Sequence, residues 1–190
     1  MINLILSIFI GAAAWGLSLL VFDSTWTGII PFLIFFLLAM FILNRRTSAK
    51  VMAIVNSANQ MMVNLQKLPS EQARLNLCDK CIDTLKEGYA YQHYSFFLKQ
   101  QINSQIGTLY YAMNRTKEAE PYLRDSFVRQ WESSCMYACL LYKNGKYDEM
   151  VMQFEKTVKF TNNKPLLWNI YAWCLMKNKK RDDAIAVLNR

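Results

Sequence analysis

The distribution of apolar and polar residues divides the chain into two parts. Residues 2–22 and residues 24–44 are two stretches without any charged side chain, and Asp23 separates them. At about 1.5 Å per residue, each stretch is long enough for a helix to cross the roughly 30 Å hydrocarbon layer of a membrane. The pattern therefore predicts a transmembrane helical hairpin over residues 1–46, with helices at about 2–22 and 26–44.

Small residues in the first stretch predict where the two helices pack. Gly11, Ala12 and Gly16 are expected to form a flat strip that lets the second helix approach closely. A cleaved signal peptide ending near the alanines at 12–14 is the alternative interpretation. No Lys or Arg precedes the apolar run, however, and the run continues beyond the alanines, so an uncleaved anchor is favoured.

The charges beside the hairpin predict its orientation. Arg45, Arg46 and Lys50 follow the second apolar stretch, whereas the short connection offers only Asp23. Because basic flanks stay on the cytoplasmic side, both termini are expected to be cytoplasmic. The N-terminal anchor without a transit peptide favours a bacterial inner membrane.

From Thr47 onward the apolar positions follow helical spacing, which predicts an all-α fold throughout. Residues 47–99 are expected to hold juxtamembrane helices, among them one over residues 71–87, and they have room for a degenerate repeat. Val51, Ala58 and Leu65 recur at intervals of seven, which fits either a short dimerising coiled coil or an amphipathic helix that packs on its own module.

The last part of the chain repeats itself three times. The small residues Gly107, Ala138 and Ala172 are each followed by a landmark 12 positions on and by a large apolar residue 16 positions on. These landmarks are Ala119 and Leu123, Met150 and Phe154, and Ala184 and Leu188. Asn114, Gly145 and Lys179 take the turn position in the three copies. The spacing predicts helix-turn-helix units over residues 100–130, 131–164 and 165–190, of which the last is incomplete.

This pattern resembles the tetratricopeptide repeat (TPR) family. The third copy is the most similar, because Trp168, Tyr171, Ala172 and Leu175 stand where the family's W-x2-L-G-x2-Y run stands. The departures are a shorter first interval and the replacement of family residues by Met150, Asn103 and Ser134. The resemblance implies a TPR-like α-solenoid that follows the transmembrane hairpin.

In the family that this chain resembles, successive first helices line a groove that binds peptides. The resemblance therefore assigns partner binding to Gln101, Ser104, Thr108, Tyr111, Tyr142, Lys143, Asn169, Trp173 and Lys177, with Cys135, Cys139 and Met176 beside them. Aromatic side chains supply contact area, and lysines suit an acidic group or the C-terminus of a peptide. The carboxylate clamp of chaperone-binding relatives is not reproduced, since Ser104 and Thr108 stand in the first copy.

Composition excludes several other functions. The chain has 22 Lys and Arg against 14 Asp and Glu, and most of this excess lies after residue 46, which suits a body held near anionic lipid headgroups. A dense basic stripe and a nucleic-acid-binding motif are missing from the sequence, so no nucleic-acid partner is expected. His93 is the only histidine, and no phosphate loop or nucleophile elbow is present. We therefore predict no enzyme activity and no cofactor.

The cysteines leave one alternative open. Cys78 and Cys81 have the C-x2-C spacing of zinc and redox sites, and Cys135 with Cys139 would complete a four-thiolate set. Both pairs fall within amphipathic helical patterns without a glycine-containing knuckle, so buried or groove-lining thiols are favoured and no metal ligand is predicted.

The sequence thus predicts a membrane-tethered TPR adaptor or scaffold, which binds protein partners at the cytoplasmic face and helps to assemble or localise a complex. One alternative is a structural subunit of a larger membrane complex or oligomer, held mainly through the hairpin. The other is a thiol-based metal or redox sensor on the same scaffold.

Overall fold

The protein is all-helical over residues 2–21, 28–65 and 67–190, which are the residues described by a computed structural model. The expected all-α class is confirmed. The α-helices are α1 (Ile2–Val21), α2 (Ile29–Leu65), α3 (Glu71–Glu87), α4 (Leu98–Ala112), α5 (Thr116–Arg124), α6 (Trp131–Lys143), α7 (Tyr147–Phe160), α8 (Pro165–Lys177) and α9 (Arg181–Leu188). A 3-10 helix, Gly88–Tyr91, follows α3. The predicted connection around Asp23 lies outside the described residues.

Helix α1 runs antiparallel to the first half of α2. At its start, Asn3 Nδ2 donates hydrogen bonds to Asn44 Oδ1 at 3.0 Å and to Thr47 Oγ1 at 3.2 Å. Further along, Gly11 lies against Phe32. Among the described helices, α2 is long and apolar enough to cross a membrane by length and composition, whereas the apolar section of α1, Ile2–Ser18, is shorter.

The second helix extends well beyond its predicted end. The expected helix stopped at residue 44, and the module boundary was placed after residue 46, but α2 continues without interruption to Leu65. Arg45 and Arg46 change the polarity of the helix surface and not its backbone, and no glycine or proline follows Pro31 within α2. One continuous helix therefore joins the apolar segment to the polar module.

The packing strip predicted on α1 needs a correction. Gly11 is buried against Phe32, but Ala12 and Gly16 are exposed, and a Cβ added at Gly16 would meet no atom within 4 Å. The buried positions Asn3, Ser7 and Gly11 recur every four residues and form the ridge that faces α2. Ala12 and Gly16 belong to the next ridge, about 100° around the helix.

The second half of α2 packs within the chain. Ala58 is fully buried, its carbonyl oxygen lies 3.4 Å from the Cys81 Sγ of α3, and Val51 and Leu65 also pack on the common core. Helix α3 itself spans residues 71–87, as predicted. The seven-residue spacing thus reflects an amphipathic helix packed on its own module.

Three helix pairs follow, namely α4 with α5, α6 with α7, and α8 with α9. The first helices also contact one another in the order α4, α6, α8. Helices α6 and α8 begin at Trp131 and Pro165, where the second and third units were placed, and α4 begins at Leu98, two residues before the first.

The three turns between paired helices have the same backbone conformation. Asn114, Gly145 and Lys179 have φ values of 58°, 75° and 60°, in the left-handed region. In each turn the following amide donates to the carbonyl five residues earlier, at 2.9 to 3.0 Å. The amide of Arg115 donates to the Tyr110 carbonyl, that of Lys146 to Leu141, and that of Lys180 to Leu175. The predicted turn positions are therefore confirmed at the level of backbone geometry.

Most of the landmark residues that define the repeat spacing are buried. Gly107, Ala138 and Ala172 are all buried, and so are the first and second copies' large apolar residues, Leu123 and Phe154. The third copy differs, because Leu188 is exposed while its neighbour Val187 is buried. Helix α9 ends at Leu188, and Ala184 and Val187 form its buried side.

Candidate functional site

The candidate site is the α4–α6–α8 face, which we define by the twelve residues that the sequence places on the groove side of the first helices. Gln101, Lys143, Asn169, Trp173, Met176 and Lys177 are exposed, and Thr108, Tyr111, Cys139 and Tyr142 are half-buried. Ser104 and Cys135 are buried. Trp173 exposes 53% of its surface, and Trp is one of the residue types enriched among the hot spots of protein interfaces.

Contacts between neighbouring first helices bring several of these side chains together. The Lys143 ammonium of α6 lies 5.7 Å from the ring centroid of Tyr111 in α4. The Tyr142 ring meets the Trp173 ring of α8 edge-on at 5.9 Å, and the Lys177 ammonium lies 5.8 Å from the same indole. Cation–π contacts at exposed sites contribute about 0.5 to 1 kcal/mol each, so they orient the lysines without neutralising them.

Two residues of the α4–α6–α8 face, Ser104 and Gln101, also take part in other features of the fold. Ser104 Oγ donates to the Gln100 carbonyl at 2.9 Å and accepts from the Phe127 amide at 2.8 Å, so this buried hydroxyl holds the end of the first pair together. Thr108 donates to the Ser104 carbonyl at 2.8 Å. Ser104 is therefore structural, because both of its hydrogen-bonding roles are filled inside the fold. Gln101 lines a cavity beside α2.

The first and second helices of the pairs differ in their charge. The three first helices carry three lysines and one glutamate, Glu132. The second helices α5, α7 and α9 carry seven acidic and five basic side chains. The first helices are therefore the more basic members of the pairs.

A group of three thiols lies between α6 and α8. Hydrogen bonds from the Cys135 thiol, and then from the Cys174 thiol, lower the pKa of Cys139, and the nearby Lys143 ammonium acts in the same direction. The same contacts raise the pKa of Cys135 and of Cys174, together with burial. Cys139 is half-buried whereas Cys135 and Cys174 are buried, so Cys139 is the most accessible thiol of the group.

The other two cysteines lie in a different environment. Cys78 and Cys81 are fully buried between α2 and α3, and burial raises the pKa of Cys81 to about 11. The structure does not bring this pair together with Cys135 and Cys139 into one site. Within the described ranges, no group of three or more His, Cys, Asp or Glu side chains is arranged to hold a metal ion.

Sequence reasoning missed Cys174 as the third member of the thiol group. The sequence does place Cys139 and Cys174 on the first helices of successive units. Which of their side chains meet, however, depends on the rotation of α8 against α6. No protein-family model matches the chain, and a search of curated proteins finds no significant match.

Proposed function

We propose that the protein is a membrane-tethered adaptor whose TPR-like helical repeats bind protein partners at the cytoplasmic face of a membrane. The arrangement of the α4–α6–α8 face is the observation that carries this proposal. It combines an exposed indole, two half-buried tyrosines and two lysines from three successive helices.

The TPR-like solenoid is supported by the equivalence of the three pairs. Left-handed residues stand at the same position of each turn, and buried small residues stand at the same position of each first helix. Side-by-side first helices are the arrangement expected when each unit stacks only on its neighbours. The proposal extends to the preceding pair, the second half of α2 with α3, as a divergent unit.

The membrane anchor is proposed to be a hairpin of α1 and α2. Support comes from the apolar, outward-facing surface of both helices, which includes Phe9, Leu17, Ile30 and Phe41. Arg45, Arg46 and Lys50 lie on α2 just beyond its apolar segment, which supports a cytoplasmic location for the polar module. A bacterial inner membrane is the proposed location.

The proposed partner presents an extended or C-terminal segment with an acidic group. An indole flanked by lysines provides a flat apolar contact next to positive charge, which suits an apolar side chain followed by a carboxylate. The continuity of α2 from the apolar segment into the module supports a fixed distance between this face and the lipid surface in the proposed anchoring.

The experiment is co-purification in mild detergent of the intact chain and of two variants. Trp173→Ala with Lys177→Ala removes the centre of the α4–α6–α8 face, and Phe160→Ala removes an equally exposed aromatic from the end of α7. Partners bound through the face are lost from the first variant and kept by the second. Equal recovery with both variants would contradict the proposal.

A structural subunit held through its anchor is the second candidate. The observation that favours it is the exposure of Ala12 and Gly16 on α1, since small residues let another transmembrane helix approach closely. Replacing both by Leu leaves partner recovery unchanged if the α4–α6–α8 face is the contact, and abolishes it if the anchor is.

A further inference from the structure

A cavity of about 640 Å³ lies where the anchor helices meet the first helix pair. Its wall runs along α2 from Met40 to Val55 and includes the start of α1, the Phe96 region and α4. The volume is within the range of roughly 300 to 1,000 Å³ that is typical of small-molecule sites. Of its lining, only Gln101 belongs to the α4–α6–α8 face.

The lining is uncharged and combines apolar with polar side chains. Among the described residues that form it, none is Asp, Glu, Lys, Arg or His, although this chain is rich in lysine. Aliphatic side chains such as Val51, Met52 and Ile102 alternate with five carboxamides. A charged ligand would lose its hydration here without gaining a counter-charge, so the cavity selects an uncharged one.

Two carboxamides of the lining lack a hydrogen-bond partner. Gln105 Oε1 and Gln130 Oε1 are both shielded from solvent and both unpaired. Elsewhere in the lining, Asn3 Nδ2 donates to Asn44 Oδ1 and to Thr47 Oγ1. A buried acceptor without a donor is unfavourable by about 1 to 3 kcal/mol, so a ligand hydroxyl that meets either carboxamide after its half-buried side chain turns into the cavity is stabilised there.

The position of the cavity along α2 indicates where its ligand comes from. It begins at Met40, inside the apolar segment, and passes Arg45 and Arg46 to reach Val55. In the proposed anchoring it therefore crosses the boundary between hydrocarbon and headgroups. Met52 and Phe96, which expose 58% and 62% of their surfaces, stand at its opening.

The loop that carries Phe96 is held in a strained conformation. Phe97 has a φ of 61°, in the left-handed region that large side chains rarely adopt. The Phe97 ring packs on the ring of Phe127, which lines the cavity, with ring centroids 5.4 Å apart. This contact fixes the turn before α4, and Phe96 is thereby held at the opening of the cavity.

We propose that this cavity binds an uncharged amphiphile with one apolar chain and a hydroxyl-bearing headgroup, of the monoacylglycerol type, taken from the membrane. The chain occupies the aliphatic part, and the hydroxyl groups donate to Gln105 and Gln130. The membrane source rests on the anchoring under the proposed function, whereas the site itself does not depend on partner binding.

The test uses the full chain in phosphatidylcholine vesicles that contain a monoacylglycerol with a photoreactive diazirine in its acyl chain. After illumination, mass spectrometry of peptides is expected to find label on the segments that contain Met52 and Ile102. Met52→Trp fills the opening and lowers this labelling several-fold. Met152→Trp is the matched control, because Met152 is an exposed methionine on α7, away from the cavity lining.

A second pair of measurements separates binding from a structural role. Gln105→Leu with Gln130→Leu lowers monoacylglycerol labelling about threefold to tenfold, as expected for a lost hydrogen bond. The same variant raises the melting temperature of the lipid-free protein in detergent, since two unpaired groups are removed. A diazirine fatty acid with the same chain and an anionic headgroup labels the intact protein several-fold less.

Two results would overturn the proposal. One is equal labelling of the Met52→Trp variant and the intact chain, with label spread over the outer surfaces of α1 and α2 as for bulk lipid. The other is equal labelling by the fatty acid. Flotation of the same vesicles tests the anchoring separately. A chain that floats without cavity label refutes the site alone, and a chain that does not float refutes the membrane source of the ligand.

Discussion

Gly107 lies directly against Leu123, sixteen residues further along the chain. A Cβ atom added to Gly107 would stand 2.7 Å from Leu123 Cδ2 and 3.0 Å from the Leu123 backbone nitrogen. The side chain of Leu123 can turn away, but its backbone cannot. This pair sets the separation of α4 and α5. The 16-residue spacing in the sequence therefore corresponds to a contact between the two helices of the pair.

The first prediction follows from this contact. Gly107→Ala is expected to destabilise the fold by about 1 to 3 kcal/mol, even though alanine is the better helix former, because the two backbones must separate. Ala138→Leu and Ala172→Leu overpack the other pairs in the same way. Ala112→Leu, on the exposed end of α4, is the control. Thermal unfolding measures the differences, and an unchanged melting temperature for Ala172→Leu would contradict the register of the third copy.

The second prediction concerns the left-handed turn residues. Lys179 adopts a φ of 60° that glycine adopts without strain, so Lys179→Gly is expected to stabilise the fold by about 0.5 to 1 kcal/mol. Gly145→Lys places a side chain in the equivalent turn and is expected to destabilise by about 1 kcal/mol. The urea concentrations at the unfolding midpoints of the two variants should shift in opposite directions from that of the intact chain. Shifts of the same sign would show that the two turns are not equivalent.

The third prediction uses the thiol pKa values. A lowered pKa means that Cys139 is a thiolate at a pH where an ordinary thiol, with a pKa of about 8.5, is still protonated. Iodoacetamide is therefore expected to modify Cys139 first and to keep doing so as the pH falls below 7. Cys81, whose pKa burial raises to about 11, reacts only after unfolding.

Lys143→Ala tests how far the Lys143 ammonium lowers the pKa of Cys139. Removing the ammonium raises this pKa, so the alkylation profile of Cys139 moves to higher pH. Lys146→Ala, beyond the end of α6, leaves the profile in place. Equal alkylation rates for Cys139 and Cys81 in the folded protein would contradict the assignment.

The fourth prediction tests the orientation of the anchor. In a cysteine-free variant, single cysteines at Thr25 and Ser70 are labelled in intact cells by a maleimide that does not cross membranes. The basic flank of α2 predicts outside labelling at Thr25 alone. Labelling of Ser70 from outside would reverse the proposed orientation.

Sequence periodicity predicted the parts of this fold that depend on local spacing. The turn positions Asn114, Gly145 and Lys179 and the buried small residues are fixed by contacts within one helix pair, so a spacing of 12 or 16 residues reveals them. The continuation of α2 differs from the sequence prediction because the change of side-chain polarity at Arg45 alters the helix surface without breaking its backbone.

Features that depend on how separate elements dock were not predictable in this way. Ala12 and Gly16 were assigned to the wrong ridge of α1, since two adjacent ridges of one helix differ only by a rotation. The burial of Ser104 depends on the return of the chain at Phe127, and the unpaired carboxamides of Gln105 and Gln130 depend on where α4 docks beside α2.

Photo-crosslinking in native membranes tests the central claim, that the α4–α6–α8 face binds a protein partner, most directly. Benzoylphenylalanine is incorporated in place of Trp173 or, as the control, in place of Phe160, which is equally exposed on α7. The account predicts a discrete protein adduct from position 173 that Lys177→Ala weakens, and none from position 160. The absence of an adduct at 173, or the same adducts from both positions, would contradict it.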